Sequence, residues 1–84
     1  MRLDKFLKVS RLVKRRTLAK EIADQGRVLI NGKPGKASTK VAVGDELEIQ
    51  YGNKRVTVKI EKLSETTKKE EAYSMYTVLK EEFF

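Results

Sequence analysis

Three consecutive cations, Lys14-Arg15-Arg16, stand directly before Thr17, which reads as the N-cap of a helix running to about Gln25. A helix N-terminus presents unpaired N–H groups and a partial positive charge, so it favours phosphate. Arginine suits that task because its planar fork can grip two phosphate oxygens at once. Upstream, Arg2, Lys5 and Lys8 recur at a spacing of three, the rhythm of one helix face, while Leu3, Phe6 and Leu7 occupy the other. With Arg11 between the two groups and Lys20 beyond, these residues could form a compact ledge for a polyanion.

The distribution of charge supports that reading. Residues 1–20 hold eight Lys or Arg and one acid, Asp4, a balance of +7 that equals the net charge of the whole 84-residue chain. The other 64 residues carry eleven bases and eleven acids, which cancel. A surface charged only for solubility would mix its signs, so a concentrated patch points to a polyanionic partner. Asp4 lies four residues before Lys8 and is expected to pair with it.

Other chemistries have little to build on. The chain has no Cys and no His, which removes the commonest metal ligands, the usual neutral-pH acid/base and the most reactive nucleophile. The glycines lack the spacing of a nucleotide fingerprint, and no carboxylate pair is marked as buried. We therefore expect no enzyme, no cofactor and no metal. No apolar run approaches the ~20 residues of a membrane span, and charges sit where a signal peptide needs its apolar core. A cytoplasmic monomer with no membrane contact is the expectation.

The elements that must position the cations follow from periodicity. A helix from Arg2 to about Val9, a short connection pinned by Leu12 and Val13, and a helix after Thr17 with Leu18, Ala19, Ile22 and Ala23 inward make an αα-hairpin. Gly26 marks its end. The period then changes to two: Val28 and Ile30 precede an Asn31-Gly32 turn, Lys33 to Val43 reads as irregular, and Leu47, Ile49 and Tyr51 alternate. After Gly52-Asn53, Val56, Val58 and Ile60 alternate back. Finally Thr67-Lys68-Lys69-Glu70 matches a capping box, predicting a helix to the C-terminus with Ala72, Tyr76, Leu79 and Phe83 as its stripe. The predicted fold is α+β: an N-terminal αα-hairpin on a small twisted, mainly antiparallel sheet, then a C-terminal helix. Residues 1–65 form the binding domain and 66–84 a helical extension packed on it or docked beside it.

Structured RNA is the preferred polyanion. Two short helices suit deep major-groove reading poorly, and Glu21 and Asp24 beside Lys20 would repel backbone phosphates. The first fifty residues contain one aromatic, Phe6, on the core side, so no platform for stacked single strands is visible there. Arg2, Lys5, Lys8, Arg11, Lys14, Arg15, Arg16, Thr17 and Lys20 are the expected RNA-binding residues.

These segments resemble the S-four RNA-binding domain, named for small-subunit ribosomal protein four. The matching pieces are Arg2-Leu3-Asp4-Lys5-Phe6-Leu7, Ser10-Arg11-Leu12, Arg16-Thr17-Leu18-Ala19, Gly26 through Gly32, and Val43-Gly44-Asp45-Glu46-Leu47. The tail, Thr66 through Ala72 with Met75-Tyr76-Thr77, resembles the free-standing, heat-shock-type members that bind obstructed large ribosomal subunits. That resemblance implies contact with large-subunit rRNA and peptidyl-tRNA. It also implies support for template-free C-terminal alanine tailing, alongside the factor that adds the alanines. The alternative is a general large-subunit or tRNA-binding S-four protein with no part in tailing.

Overall fold

The computed structural model describes residues 1–65 and 68–83. Two helices, α1 (Leu3–Val9) and α2 (Arg16–Asp24), precede a sheet of five strands: β1 (Val28–Ile30), β2 (Lys33–Pro34), β3 (Glu46–Tyr51), β4 (Lys54–Ile60) and β5 (Tyr76–Phe83). Their spatial order is β2-β1-β3-β4-β5, and every neighbouring pair is antiparallel. The α+β class, the hairpin and the antiparallel sheet expected from periodicity are all present.

The core lies where the two periodicities meet. Leu3, Phe6 and Leu7 from α1 and Ala19, Ile22 and Ala23 from α2 are buried together with Val28, Leu47, Ile49, Val56, Val58 and Ile60. Val13 is buried in the connection, and Leu12 packs against the same cluster. Leu18 departs from expectation: at 45% exposure it lies outside the buried face of α2. The helix starts two residues earlier than predicted. It begins at Arg16 with Arg15 in the cap position, so Thr17 falls inside the first turn and makes no side-chain cap.

Loop carbonyls satisfy the first two N–H groups of α1. The N–H groups of Leu3 and Asp4 donate to the carbonyls of Thr39 (2.7 Å) and Ala37 (3.2 Å) in the loop after β2. That loop also receives α2, because Asp24 Oδ1 accepts the Ala37 N–H at 3.1 Å. The loop passes close to β1 at Gly35, where a Cβ would stand 2.6 Å from Ile30 Cδ1 and that side chain would have to shift. Asn31 and Gly32 both take positive φ, 51° and 83°, closing the β1–β2 hairpin. The segment read as irregular contributes only the two-residue strand β2.

The C-terminal segment is the main correction. The predicted Thr67 cap lies outside the described residues. The helix α3 spans only Lys69–Ala72, continues as one 3₁₀ turn over Tyr73–Met75, and gives way to β5. Seven residue pairs join β5 to β4, with a bulge between Thr57 and Val58. Met75 is fully buried, and its carbonyl accepts the N–H groups of Glu61 (2.8 Å) and Lys62 (3.3 Å). Pairing explains why strand wins over helix. Without β5, the whole outer edge of β4 would carry unpaired N–H and C=O groups, and Tyr76-Thr77-Val78 is a good strand sequence. Of the proposed helical stripe only Ala72 is buried. Leu79 and Phe83 are exposed.

Candidate nucleic-acid interface

The hairpin brings part of the predicted cation set to one point. Asp4, whose side chain is 4% exposed, receives Arg2 Nε on Oδ1 at 3.2 Å and Arg16 Nη2 on the same oxygen at 3.4 Å. Arg2 Nη2 also donates to Oδ2 at 3.3 Å. Two arginines fourteen positions apart, from the starts of both helices, are thereby held by one carboxylate. Asp4 does not pair with Lys8 as the four-residue spacing suggested. Its Oδ1 also accepts the Lys5 N–H at 2.8 Å, so the side chain turns back over the first turn of its own helix.

Both guanidiniums remain about half exposed, so they are oriented without being hidden. This arrangement suits phosphate recognition. Fixing a long side chain in advance removes an ordering cost of about 0.5–1.5 kcal/mol per side chain at the moment of binding.

The remaining predicted cations fall into two groups. Lys5 reaches Glu65, whose carboxyl is held below its ordinary pKa by the hydrogen bond from Lys5 and by its charge. Among the described residues, Lys8, Arg11, Lys14, Arg15 and Lys20 have no ion-pair partner, and all five are exposed. Neither Arg15 nor Arg16 pairs with Glu70 or Glu71 of the C-terminal segment. Thr17 is exposed, on the first turn of α2 between Arg16 and Lys20.

The connection between the helices is built to present Arg11. Ser10 closes α1, its N–H donating to the Phe6 carbonyl (2.9 Å) and its hydroxyl to that of Leu7 (3.3 Å). Arg11 follows in the left-handed region, φ 62°, with its N–H on the Lys8 carbonyl at 3.1 Å. Glycine is the usual residue in that position after a helix. Tyr51 fastens the same connection to the sheet, its hydroxyl donating to the Leu12 carbonyl at 2.8 Å. Burial, with the neighbouring Tyr76, pushes that phenol up to about 12.

Three contributors were not visible in the residue pattern. Asp4 as a clamp, Glu65 on Lys5 and Tyr51 under Leu12 all act across long stretches of chain. Only the burial of an acid on an otherwise apolar and basic helix could have flagged the first.

Replacing Asp4 by Ala tests the clamp. It should lower stability by about 1 kcal/mol, through loss of the first-turn acid and of an acceptor for the Lys5 N–H. RNA affinity should fall about fivefold, because Arg2 and Arg16 must then be ordered on binding. The substitution also removes a negative charge from a basic surface. Tighter binding by the variant would show that the carboxylate merely subtracts charge.

A small antiparallel sheet that carries a basic two-helix hairpin at its N-terminal end is the arrangement of an S4 domain. The family profile described as S4 domain matches residues 1–47, more than half of the chain, and the chain belongs to this family. Over 82 residues it is 68% identical to the protein called RQC P-site tRNA stabilizing factor of Bacillus subtilis (strain 168), covering 98% of this chain and 95% of that one. A protein of the same name from Listeria innocua is 62% identical over 82 residues, covering 98% and 89%. The fold also matches the structure described as trimeric Vibrio cholerae Heat Shock Protein 15, with a TM-score of 0.87 at 34% identity, over 93% of this chain and 80% of that one.

Proposed function

We propose that this chain is a non-enzymatic, structured-RNA-binding factor of ribosome-associated quality control that stabilises P-site tRNA on obstructed large ribosomal subunits. The observation that carries the reading is the hairpin's charge. Five cations there are exposed and without ion-pair partners among the described residues, beside two arginines pre-aligned on Asp4. The names of the relatives from Bacillus subtilis and Listeria innocua support the ribosomal setting.

In this reading Arg2, Lys5, Lys8, Arg11, Lys14, Arg15, Arg16, Thr17 and Lys20 meet the phosphates of large-subunit rRNA and of peptidyl-tRNA. Residues 1–65 carry the RNA-binding surface, and residues 66–84 are an extension of it whose strand β5 covers the β4 edge. The chain supports template-free alanine tailing by holding the tRNA, while a separate factor adds the alanines. It acts in the cytoplasm, where ribosomes are. Among the described residues no helix is long and apolar enough to cross a membrane. It works as a monomer: Lys80, Glu81 and Glu82 along the outer strand β5 are charges of the kind that oppose strand-on-strand pairing.

Isolating the tagged full-length chain from the cells that make it tests this directly. It should arrive with large subunits that hold peptidyl-tRNA. Recovery on free tRNA, or on intact translating ribosomes, would replace the reading with a general tRNA- or large-subunit-binding S4 protein that has no part in tailing.

A further inference from the structure

A groove of about 390 Å³ opens where the connection between α1 and α2 meets the β4–β5 edge of the sheet. That volume lies at the small end of the ~300–1,000 Å³ typical of small-ligand sites. Its apolar lining comes from Leu12, Val56 and Val78. Two aromatic residues, Tyr51 and Tyr76, complete it. Tyr51 is fixed in place by its bond to the Leu12 carbonyl, so this wall exists before anything binds.

Cations stand at the groove in two places. Arg11 lines it on the helical side and is also one of the unpaired cations of the RNA-facing surface, which makes the two continuous. Lys54 lines it on the sheet side, 2.7 Å from Glu81 Oε1 and 5.7 Å from the centroid of the Phe83 ring.

We propose that this groove receives one unpaired base of the RNA whose phosphates lie on the hairpin, stacked on the tyrosines and flanked by Arg11 and Lys54. The inference rests on the RNA-binding reading and adds a second, base-contacting site to it. Aromatic rings with cations beside them are what a nucleotide needs: a π-face for the base and positive charge for its phosphate. An apolar peptide side chain would need the apolar walls but neither the cations nor the acid. Glu81, which also lines the groove, can accept hydrogen bonds from the N–H groups of a guanine edge. The stacking surface that the first fifty residues lack is thus supplied by residues 51 and 76.

The backbone at Arg11 is an independent pointer to this site. A non-glycine residue at φ 62° carries a conformational cost that glycine would avoid, yet the position holds the side chain that joins groove and ledge.

Two RNA hairpins with the same stem test the proposal, one fully paired and one with a single bulged guanosine, with affinities measured by fluorescence anisotropy on the full chain. The bulged RNA should bind about tenfold more tightly. Tyr76→Leu keeps apolar bulk in the groove but removes the ring. It should abolish that preference while leaving affinity for the paired hairpin within about twofold. Arg11→Gly should melt a few degrees higher, because the strained position is relieved, and should bind the bulged hairpin less tightly. A dispersed amide spectrum confirms folding of each variant. Equal binding of the two hairpins by the native chain, or a preference that survives Tyr76→Leu, overturns the groove proposal and leaves RNA binding standing. Failure to bind either hairpin overturns the RNA reading itself. A Tyr76→Leu chain that keeps the preference but no longer sediments with large subunits would assign the groove to a protein, against the proposal.

Discussion

A chain ended after Glu65 should lose about 4 kcal/mol of stability and fail to give a cooperative thermal transition. Several effects add. Met75 and Ala72 are fully buried, and exposing one large apolar side chain alone costs about 1.5–3 kcal/mol. The seven residue pairs between β4 and β5 disappear, and Val56, Val58 and Ile60 lose cover on one flank. A domain of this size is stable by only about 4–12 kcal/mol, so a loss on that scale takes a third of the total at least. Circular dichroism on the truncated chain measures it. A melting curve superimposable on that of the full chain would mean that β5 is an ornament on a fold complete without it. The consequence for function is practical. If the truncated chain no longer reaches ribosomes, unfolding explains the result before any docking role of the tail does.

The second large effect is on binding. Replacing Arg15 and Arg16 together by Ala should weaken binding to structured RNA about 50-fold while leaving the melting temperature nearly unchanged. Each arginine can make charge-assisted hydrogen bonds to phosphate, and two such contacts account for roughly that factor. Stability is spared because Arg15 is exposed without an ion-pair partner, and Arg16 reaches Asp4 with a side chain half in water. Asp4 itself is buried, but it keeps Arg2 and the Lys5 N–H when Arg16 is removed, so its charge is not left unpaired. A fall of ten degrees in the melting temperature would show that the two arginines serve the fold. Unchanged RNA affinity would remove them from the interface.

How far the residues alone lead depends on the range of the interaction. Leu3, Phe6 and Leu7, and the alternations Leu47-Ile49 and Val56-Val58-Ile60, announce their elements because a local period decides which face is buried. Asn31-Gly32 announces its turn because few other pairs accept positive φ twice. The tail misleads for the same reason in reverse. Ala72, Tyr76, Leu79 and Phe83 are spaced like a helix stripe, but the decisive partner is the open edge of β4, sixteen or more positions earlier. No local pattern carries that information.

The site divides in the same way. The cations and their concentration near the N-terminus are plain in the composition. What each one touches is not. Asp4 has a partner four residues along that it ignores, and one twelve residues along that it takes, because the packing of α1 on α2 brings Arg16 to it. Arg11 adopts a conformation usually left to glycine, and an arginine in the sequence gives no sign of it. The groove beneath it draws on residues from 11 to 81, so only the folded chain reveals it.

The claim on which this account stands is that cations of the helix pair meet phosphates directly. The salt dependence of affinity for a folded RNA measures it. For about four neutralised phosphates, log K should fall against log salt with a slope near −3, and Arg15→Ala/Arg16→Ala should make that slope shallower by about 1.5. A binding constant indifferent to salt, or an identical slope in the double variant, would contradict it.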